Sequence, residues 1–381
     1  MENLGNVLIR SDLNVPVNNG VVLDNFRIVQ ALTSLKKIRG ISKNIVYSSH
    51  LGRPKGIEPK YSLKPIKNEM ESLLQEEIIF IEDCLSKNIK NLLNTNKNKI
   101  FLLENLRFHD GEMKNDNFFA KKLVEPFDSY ILDAFGASHR AHASIVGISN
   151  HIKCYQGELM QKEIYELNTL ISNPTPPYSV ILGGAKISDK LSLVKNLLPK
   201  VDNLLLGGGM CFTFLKAKGL NIGKSIFEEN FIKVAEELMN SEYGKKIILP
   251  DDIGVTDSIE SMKRINKSIN DFDEDDIGVD IGPKTIKKFY KVLTNSKTIF
   301  WNGPMGIFEI KNYSMGTQEV TDMIANSGAY TIVGGGDSVN AINTFSNLNS
   351  YNHVSTGGGA SIELLEGKKL PGVNIYESFI I

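Results

Sequence analysis

Two lysines follow a glycine pair at the end of an apolar run, and this stretch carries the clearest chemistry in the sequence. Residues 180–182 have strand character and lead into Gly183-Gly184, Lys186 and Lys190. Glycine lets a backbone turn sharply or approach a ligand closely. A helix is predicted to begin near Asp189, and the two lysines, four positions apart, would then point the same way. Amides at a helix start with two ammonium groups predict a polyanion site, such as one for a nucleotide phosphate tail. Alone, the segment is equally compatible with a turn carrying two solvated lysines.

Three more glycine clusters follow apolar runs in the same half of the chain, at residues 207–209, 334–336 and 357–359. Ligands of open α/β sheets bind beyond the carboxyl ends of the strands. The repeated strand-then-glycine junctions therefore predict one shared crevice in the second half.

The arginines indicate a second anion site, in the first half. Six of the seven arginines lie within the first 140 residues, although the other basic residues of the chain are lysines. Arg27, Arg53, Arg107 and Arg140 follow or flank the ends of predicted strands. A guanidinium group binds carboxylate or phosphate through a planar pair of hydrogen bonds. We therefore favour an anion site over surface salt bridges. The neighbouring histidines, which we expect to support the site without acting as catalysts, are His50, His139 and His142.

Alternating strand-like and helix-like segments predict the elements that must position these residues. This alternation is typical of a parallel sheet covered by helices. A helix predicted over residues 157–171 is stopped by the proline-rich segment 173–177 and marks the boundary between two halves. The predicted strands are 6–9, 44–48, 78–81, 99–103 and 129–132 in the first half, and 179–182, 203–206, 246–249, 298–301 and 330–333 in the second.

Composition narrows the class of protein. The chain has 381 residues, 41% hydrophobic and 23% charged, with a formal net charge of −1. This length exceeds what one core usually fills, so two domains are expected. The near-neutral charge disfavours a nucleic-acid surface. Three scattered cysteines favour a reducing compartment and give no zinc pattern. No secretory signal pattern is found, and the longest apolar stretch, 204–215, is interrupted by glycines, so we expect a cytoplasmic protein without membrane contact.

Some familiar nucleotide and metal motifs are missing. Residues 219–225 resemble a P-loop but have one residue too few between the glycines. Residues 271–282 resemble a calcium loop but lack its glycine and its final glutamate. No GxGxxG motif follows the first predicted strand.

Taken in order, the motifs of the chain resemble those of the phosphoglycerate kinase family from about Ile9 to Val373. Each motif is weak alone, but the ordered set is specific. The motifs begin at Arg10 (RSDLNVP), Ser49 (SHLGRP), Asp133 (DAFG), His139 (HRAHAS), Leu182 (LGGAKISDK), Gly207 (GGGM), Asp280 (DIGPKT), Trp301 (WNGPMGIFE), Gly334 (GGGD) and Val354 (VSTGGGAS).

The resemblance implies an α/β fold of two Rossmann-like three-layer domains with parallel sheets, joined by a helix hinge. A phosphoglycerate-binding domain would span residues 1–156, the joining helix 157–172 and a nucleotide-binding domain 173–370, with the tail, about 371–381, packing back on the first domain. The implied activity is reversible phosphoryl transfer from 1,3-bisphosphoglycerate to ADP, giving 3-phosphoglycerate and ATP in glycolysis. The implied enzyme is a monomer that closes about its hinge before in-line transfer and uses Mg²⁺ bound with the nucleotide.

The resemblance also implies the site residues. Phosphoglycerate contacts would be Asp12, Leu13, Asn14, Arg27, His50, Leu51, Gly52, Arg53, Arg107 and Arg140. Nucleotide contacts would be Lys190, Gly207, Gly208, Asn302, Glu309, Gly335, Gly336, Asp337 and Ser338, with Asp337 facing the metal. Arg27 and Lys186, with amides around Gly358 and Gly359, would hold the phosphoryl group in flight. The joining helix departs from the family pattern at Gly157-Glu158, which leaves its hinge behaviour open.

Two other classes of protein remain as alternatives. A catalytically silent binding protein on the same fold would be expected to lack Arg27, Lys186 or Asp337, and all three are present. A nicotinamide-dependent oxidoreductase is disfavoured because the dinucleotide fingerprint and its acidic ribose partner are missing.

Overall fold

The computed structural model describes residues 3–373, 375 and 377–378. The chain divides into two compact units, one formed by residues 1–165 with 369–381 and the other by residues 166–368. The break lies inside the helix that the sequence predicts as the join, Glu158–Ser172. Which unit binds which substrate stays a prediction.

Both units of the chain contain β-strands. They are β1 (Gly5–Ser11), β2 (Val17–Asn18), β3 (Val21–Val22), β4 (Ser42–Ser48), β5 (Ile78–Ile81), β6 (Ile100–Leu103), β7 (Ser129–Asp133), β8 (Cys154–Gln156), β9 (Tyr178–Leu182), β10 (Asn203–Leu206), β11 (Ile247–Ile248), β12 (Asp252–Thr256), β13 (Ile265–Ser268), β14 (Ile277–Ile281), β15 (Thr298–Asn302), β16 (Tyr330–Val333), β17 (His353–Val354) and β18 (Glu377–Ser378).

The helices connect these strands. They are α1 (Phe26–Leu32), α2 (Leu35–Arg39), α3 (Lys64–Leu74), α4 (Ile89–Thr95), α5 (Asp110–Met113), α6 (Asn117–Val124), α7 (Glu158–Ser172), α8 (Leu191–Leu197), α9 (Met210–Ala217), α10 (Ile232–Asn240), α11 (Pro283–Leu293), α12 (Met315–Ala325), α13 (Gly336–Phe345) and α14 (Gly359–Leu365). None of these helices is both long and apolar enough to cross a bilayer.

A parallel sheet organises the first unit. Its strand order within the described residues is β18-β8-β7-β1-β4-β6-β5. β1 lies in the middle and is buried along nearly its whole length. Apolar residues from β1, β4 and β6 pack with residues of α1, α2 and α3 into one core that includes Val7, Ile45, Leu102, Ile28 and Ile66. The strands predicted for this half are confirmed, because each is an apolar run long enough to be buried on both faces.

A second parallel sheet organises the second unit, in the order β11-β10-β9-β15-β16-β17. Its centre carries the fully buried Trp301 and Phe300 of β15. The parallel α/β class predicted for both halves is confirmed. β12, β13 and β14 form a separate antiparallel sheet that the sequence analysis does not predict. β13 (INKS) is largely polar, so its strand character comes from pairing with β12 and has no hydrophobic period of its own.

Two predicted helices begin or end differently in the structure. Residues 27–38, which the sequence also predicts as one helical run, are divided into α1 and α2, since Thr33 and Ser34 interrupt the helix. The helix predicted to begin near Asp189 starts only at Leu191, and residues 183–190 form a loop. Lys186 and Lys190 therefore do not share a helical face, and that part of the prediction is wrong.

The tail returns to the first unit at β18, which pairs in parallel with β8. The side-chain amide of Gln156 donates to the carbonyl of Val373 at 2.6 Å. Residues 374, 376 and 379–381 of the predicted tail lie outside the described residues.

Asp133 anchors the start of α7. Its buried carboxylate accepts hydrogen bonds from the amide of Met160 at 2.9 Å and from the hydroxyl of Ser34 at 2.7 Å. Gly157 leaves room for it, since a β-carbon there would overlap the carboxyl group of Asp133. The acid thus caps the first turn of α7 and ties it to β7 and to the α1–α2 connection.

We expect Asp133→Asn to change how stability depends on pH. Burial raises the pKa of Asp133 to about 6, whereas an unfolded aspartate titrates near about 3.9. Between these values the folded chain binds more protons than the unfolded chain, so the contribution of Asp133 to the free energy of unfolding falls as the pH rises. Asparagine keeps an acceptor for Met160 but does not titrate. The urea midpoint of Asp133→Asn minus that of the wild type should therefore be larger at about pH 7 than at about pH 4.5.

Asp271→Asn supplies the matched control, because Asp271 is exposed. The difference between this variant and the wild type should be nearly the same at both pH values. An Asp133→Asn variant that behaves like the control would contradict the conclusion that burial raises the pKa of Asp133.

Candidate functional site

The carboxyl ends of β1, β4, β6 and β7 bring the first group of predicted residues together. These strands are parallel and aligned, with Arg10 opposite Ser48 and Ser11 opposite Asp133. The segments that follow them therefore meet at one edge of the sheet. This edge carries residues 11–14, 49–53, 104–107 and 133–140.

Arg27 contacts the turn that follows β1. Its guanidinium group donates to the carbonyl of Asn14 at 3.0 Å and lies 3.3 Å from the carboxylate of Asp12. The side-chain oxygen of Asn14 accepts from the amide of Gly52 at 2.9 Å. Arg107 in turn donates to the carbonyl of Gly52 at 2.6 Å. One network thus links Asp12, Asn14, Arg27, Gly52 and Arg107, as their strand-end positions predict.

Arg10 lies at the same edge of the sheet, and the prediction of site residues does not include it. It is fully buried and donates to Ser144 at 3.0 Å, to the carbonyl of Ser11, and towards Nδ1 of His50 at 2.9 Å. Burial, and then the charges of Arg10 and Arg107, hold the pKa of His50 well below its usual range. His50 is therefore neutral at physiological pH and can accept the hydrogen bond from Arg10.

Glu112 is linked to Arg10 through Ser144, and the sequence analysis does not identify this glutamate either. Its buried carboxylate accepts from the hydroxyl of Ser144 at 2.6 Å and from the amide of Ser144 at 2.9 Å. The carboxylate lies 3.8 Å from Nδ1 of His142. Burial and the nearby arginines lower the pKa of His142 to about 4, so this histidine is also neutral. The sequence alone does not distinguish this buried glutamate from an exposed acidic residue of a short helix.

Positive charge exceeds negative charge at this edge. Burial, and then the charges of Arg10 and Arg140, lower the pKa of Arg107 to about 10, which leaves it charged at neutral pH. Nε of Arg107 is buried without a hydrogen-bond partner, and neither Arg10 nor Arg107 forms an ion pair with a described residue. Buried charges are normally paired. The arrangement is therefore suited to a bound anion with several oxygens.

Four of the predicted residues lie outside this hydrogen-bond network. Arg140 lies at the same edge and donates to the ring of His139 at 3.1 Å. Arg53 is exposed and forms no hydrogen bond or ion pair with the described residues. The side chains of Leu13 and Leu51 are buried in the hydrophobic core. Their part in binding stays a prediction and would fall to their backbone atoms.

The second group of predicted residues gathers where β9, β10, β15 and β16 end. Here the backbones approach so closely that only glycine fits. A β-carbon on Gly183 would overlap the carbonyl of Pro304, and one on Gly208 would meet the amide of Gly184 at 2.6 Å. Gly208 also has a φ of 63°, which other residues rarely adopt. The predicted glycine turns thus lie beside one another.

Lys190 and Asn302 connect these turns. The ammonium group of Lys190 donates to the side-chain and main-chain oxygens of Asn302, the latter at 3.0 Å. The amide of Asn302 donates to the carbonyl of Gly334 at 2.7 Å. Burial lowers the pKa of Lys190 to about 8 against the opposing charge of Asp337. Lys190 forms no ion pair with a carboxylate of the described residues, so its ammonium group can bind an anion.

Asp337 and Ser338 open helix α13. The hydroxyl of the buried Ser338 accepts from the amide of Gly303 at 2.7 Å, which ties the helix start to the turn after β15. Asp337 is exposed in the first turn of this helix. Gly335 has a φ of 95°, and a β-carbon there would meet the amide of Asn302 at 2.5 Å. A β-carbon on Gly336 or Gly359 would contact nothing within 4 Å, so the backbone at these positions is open to a ligand.

Lys186 lies apart from this contact network. It is exposed in the loop between β9 and α8 and forms no hydrogen bond with the described residues. The loop is held by Ser188, whose hydroxyl and amide donate to Glu228 at 2.6 Å and 2.9 Å. Its predicted catalytic role therefore stays a prediction.

An apolar cavity of about 330 Å³ adjoins the glycine turns. Gly184 and Gly208 form part of its wall, and Glu309 and Asp337 also line it. The larger apolar side chains of its wall are Phe212, Ile226, Ile253, Val279, Ile281, Met305 and Ile307. Ile281, Met305 and Ile307 lie within motifs that carry the resemblance, but none of the seven is among the predicted site residues. They come from scattered elements, including the antiparallel sheet, so no local pattern distinguishes them from core residues.

The buried Asp280 supports this cavity wall. It forms an ion pair with Arg264 at 2.8 Å and accepts from the amide of Gly316 at 2.7 Å. Arg264 also donates to the carbonyl of Ile281 at 2.7 Å. The single arginine of the second half is thus structural.

Comparisons with known proteins agree over nearly the whole chain. The family model described as phosphoglycerate kinase matches residues 3–368. The phosphoglycerate kinase of Dictyoglomus turgidum is 46% identical over 97% of this chain and 95% of its own length. That of Finegoldia magna is 45% identical over 97% of this chain and 96% of its own length. The solved structure of phosphoglycerate kinase from Coxiella burnetii is 37% identical, with a TM-score of 0.87 over 98% of this chain and 96% of that chain.

We expect Lys190 to take up a proton when a polyanion binds. Its pKa of about 8 leaves roughly half of the groups neutral at pH 8. A bound polyanion favours the charged form, so binding should be accompanied by uptake of up to about half a proton from this residue. The measurement is calorimetry with inorganic tripolyphosphate at pH 8, in two buffers with different heats of ionisation.

Lys190→Met should lose this uptake, and the matched variant Lys195→Met should keep it, because Lys195 is exposed on α8. Protonation of the tripolyphosphate itself contributes equally to all three proteins. The same uptake in Lys190→Met as in the wild type would contradict the assignment.

Proposed function

The chain belongs to the phosphoglycerate kinase family, and on that premise we propose how its two sites carry out the reaction of that family. This enzyme is a phosphotransferase with a carboxyl group as acceptor. It transfers a phosphoryl group reversibly from 1,3-bisphosphoglycerate to ADP, giving 3-phosphoglycerate and ATP, in glycolysis. The observation that carries the assignment of sites is the uncompensated positive charge of Arg10 and Arg107 at the strand ends of the first unit.

The arginine edge of the first unit is the proposed phosphoglycerate site. A carboxylate and a phosphate on a three-carbon chain offer the oxygens that Arg27, Arg107 and Arg140 can bind in pairs. Asp12 and Asn14 carry the acceptors that a substrate hydroxyl requires. His50 is neutral and can donate or accept without adding charge. The amide of Gly52 and the exposed Arg53 complete the proposed site.

The glycine turns of the second unit are the proposed ADP and ATP site. The apolar cavity suits a purine base, because base faces bury well against aliphatic and aromatic side chains. Glu309 at the cavity is placed to accept from ribose hydroxyls. Lys190, with the open backbone around Gly336, suits the phosphates. The other proposed nucleotide contacts are Gly207, Gly208, Asn302, Gly335 and Ser338.

Asp337 fits a magnesium ion bound with the nucleotide. Its carboxylate is exposed beside the open backbone of Gly336. Mg²⁺ in nucleotide sites usually binds one or two carboxylates together with substrate phosphates and water. The ion would neutralise phosphate charge, and Asp337 would hold it.

The chemistry requires positioning and charge, without a general base. The acceptor in the direction of ATP consumption is a carboxylate, which is already ionised at neutral pH. Catalysis of phosphoryl transfer then rests on alignment and on stabilising charge in the transition state. We assign that stabilisation to Arg27, Lys186 and the amides around Gly358 and Gly359. Hinge closure would bring the two substrates together and keep water from the acyl phosphate.

We also propose that the enzyme works as a monomer, because residues of one chain supply both sets of ligands. The cytoplasmic location stays a prediction from cysteine usage; the three cysteines form no disulfide.

A coupled assay tests the proposed assignment of substrates. The purified chain should convert 3-phosphoglycerate and magnesium-ATP to products that glyceraldehyde-3-phosphate dehydrogenase reduces with NADH. EDTA should abolish the signal and excess Mg²⁺ should restore it. A folded protein that binds both ligands but gives no turnover would support the silent-binder alternative instead.

We expect Lys186→Ala to keep the fold and to lower kcat by on the order of a hundredfold, because it removes a charge aimed at the transition state. Affinity for both substrates should change much less. The control Lys195→Ala removes an exposed lysine of α8 and should retain normal activity. A nearly normal kcat in Lys186→Ala would make Lys186 an ordinary exposed lysine.

We expect Arg27→Lys to lose most turnover and to keep affinity for magnesium-ATP. Nη1 of Arg27 makes the contacts to both Asn14 and Asp12, and we propose that the rest of the planar guanidinium group binds substrate oxygens, which the point charge of lysine cannot do in the same geometry. Arg39→Lys is the matched control, since Arg39 forms an exposed ion pair with Glu76 at 2.6 Å. Full activity of Arg27→Lys would exclude its catalytic role. Loss of ATP affinity in this variant would contradict the division of substrates between the units.

A further inference from the structure

Three potential metal ligands meet in the first unit, outside the arginine edge. Asp83 and Cys84 lie in the loop after β5, and His109 follows the Arg107 loop after β6. One ligand atom from each lies within 4.8 Å of the other two. In the part of the chain that the structure describes, this is the only such group of three. The two loops are adjacent because β5 and β6 pair in parallel, from Ile78 opposite Ile100 to Ile81 opposite Leu103.

The spacing of these atoms suits a small tetrahedral cation. Nε2 of His109 lies 2.9 Å from Oδ1 of Asp83. A tetrahedral zinc ion with bonds of about 2.0–2.3 Å needs ligand atoms roughly 3.3–3.7 Å apart. Small side-chain rotations would therefore bring all three groups to the required distances, with the fourth position left for water.

The surroundings of Cys84 favour a cation as well. The thiol is buried, at 2% exposure, whereas Asp83 is exposed and His109 is half-buried, so an ion could enter from the Asp83 side. The carboxylate of Asp83 beside the thiol would favour a dication. Oδ2 of Asp83 forms no hydrogen bond with the described residues.

We propose that Asp83, Cys84 and His109 form a binding site for a zinc-class transition-metal dication, separate from the magnesium of the nucleotide. Thiolate and imidazole ligands select such ions over Mg²⁺, which prefers oxygen ligands in octahedral geometry. The proton of the thiol is released to solvent when the metal–sulfur bond forms. A bound ion would link the loop after β5 to the loop that carries Arg107. The proposal does not depend on the kinase assignment.

The test is metal binding by the full chain without a polyhistidine tag. Equilibrium dialysis with Zn²⁺ should give one ion per chain that excess Mg²⁺ does not displace. Co²⁺ should give the near-ultraviolet charge-transfer absorption of a cobalt–thiolate bond. His109→Gln, Asp83→Asn and Cys84→Ser should each weaken Zn²⁺ binding by more than about tenfold, and Cys84→Ser should remove the cobalt–thiolate band.

Matched controls come from the same chain. His151→Gln removes a histidine whose ring forms a hydrogen bond with the side chain of Asn117 at 2.8 Å, and Cys154→Ser removes a half-buried thiol. Both should bind Zn²⁺ as the wild type does. The midpoint of thermal unfolding should rise with Zn²⁺ in the wild type and in both controls, because an ion that binds the native state stabilises it.

Three results would overturn the proposal. The first is that the wild type takes up no Zn²⁺ in a saturable way. The second is that His109→Gln and Asp83→Asn bind Zn²⁺ with unchanged affinity. The third is a cobalt–thiolate band that survives in Cys84→Ser but is lost in Cys154→Ser. Asp83 and His109 would then form only a hydrogen-bonded surface pair. Because their side chains are not in the core, His109→Gln and Asp83→Asn should fold and give an answer even if Cys84→Ser does not.

Discussion

Buried positive charge without a matching carboxylate constrains the whole edge of the first sheet. Arg10 and Arg107 lie at the same edge because β1 and β6 both pair in parallel with β4, which lies between them. Burial of an unpaired charge is unfavourable. The protein limits this penalty by keeping His50 and His142 neutral, by directing the guanidinium groups at backbone carbonyls, and by placing Glu112 behind Ser144. The remaining excess of charge is what an anionic ligand can balance.

The second unit meets a different constraint, the close approach of backbones. Gly183, Gly208 and Gly303 lie so near neighbouring main-chain atoms that a β-carbon would overlap them. This crowding leaves backbone amides, and not long side chains, at the surface of the site. Lys190 is the main fixed charge there, and burial lowers its pKa to about 8. The proposed recognition is thus mainly by charge at one edge and mainly by shape and backbone hydrogen bonds at the other.

These two kinds of site fit a reaction that needs no proton transfer at its centre. A carboxylate acceptor and a phosphoryl donor require alignment and neutralisation of charge. In the roles that we propose, neutral His50 and His142 avoid adding charge, and Lys190 would gain a proton when an anion binds. His50 closely follows β4 and Lys190 directly precedes α8, so regular elements position both groups.

The sequence by itself determined the parallel α/β class and most strand positions, and it predicted which arginines and glycines lie at the strand ends. These features depend on local patterns: buried strands are apolar runs, and strand-end arginines and glycines follow them directly. It also determined the family, through motifs that occur in order along the chain.

Only the tertiary structure decided what depends on residues distant in sequence. Arg10 contacts Ser144 and His50, Glu112 supports Ser144, and Arg264 holds Asp280. The apolar cavity of the second unit takes its wall from strands and helices that are far apart in sequence, including an antiparallel sheet whose polar strand has no hydrophobic period of its own. The start of α8 at Leu191 likewise follows from the packing of the glycine turns, so Lys186 and Lys190 separate although their spacing favours one helical face. The spacing of two residues predicts the relative direction of their side chains only where the backbone is regular. At this site the backbone is irregular because neighbouring turns must fit together.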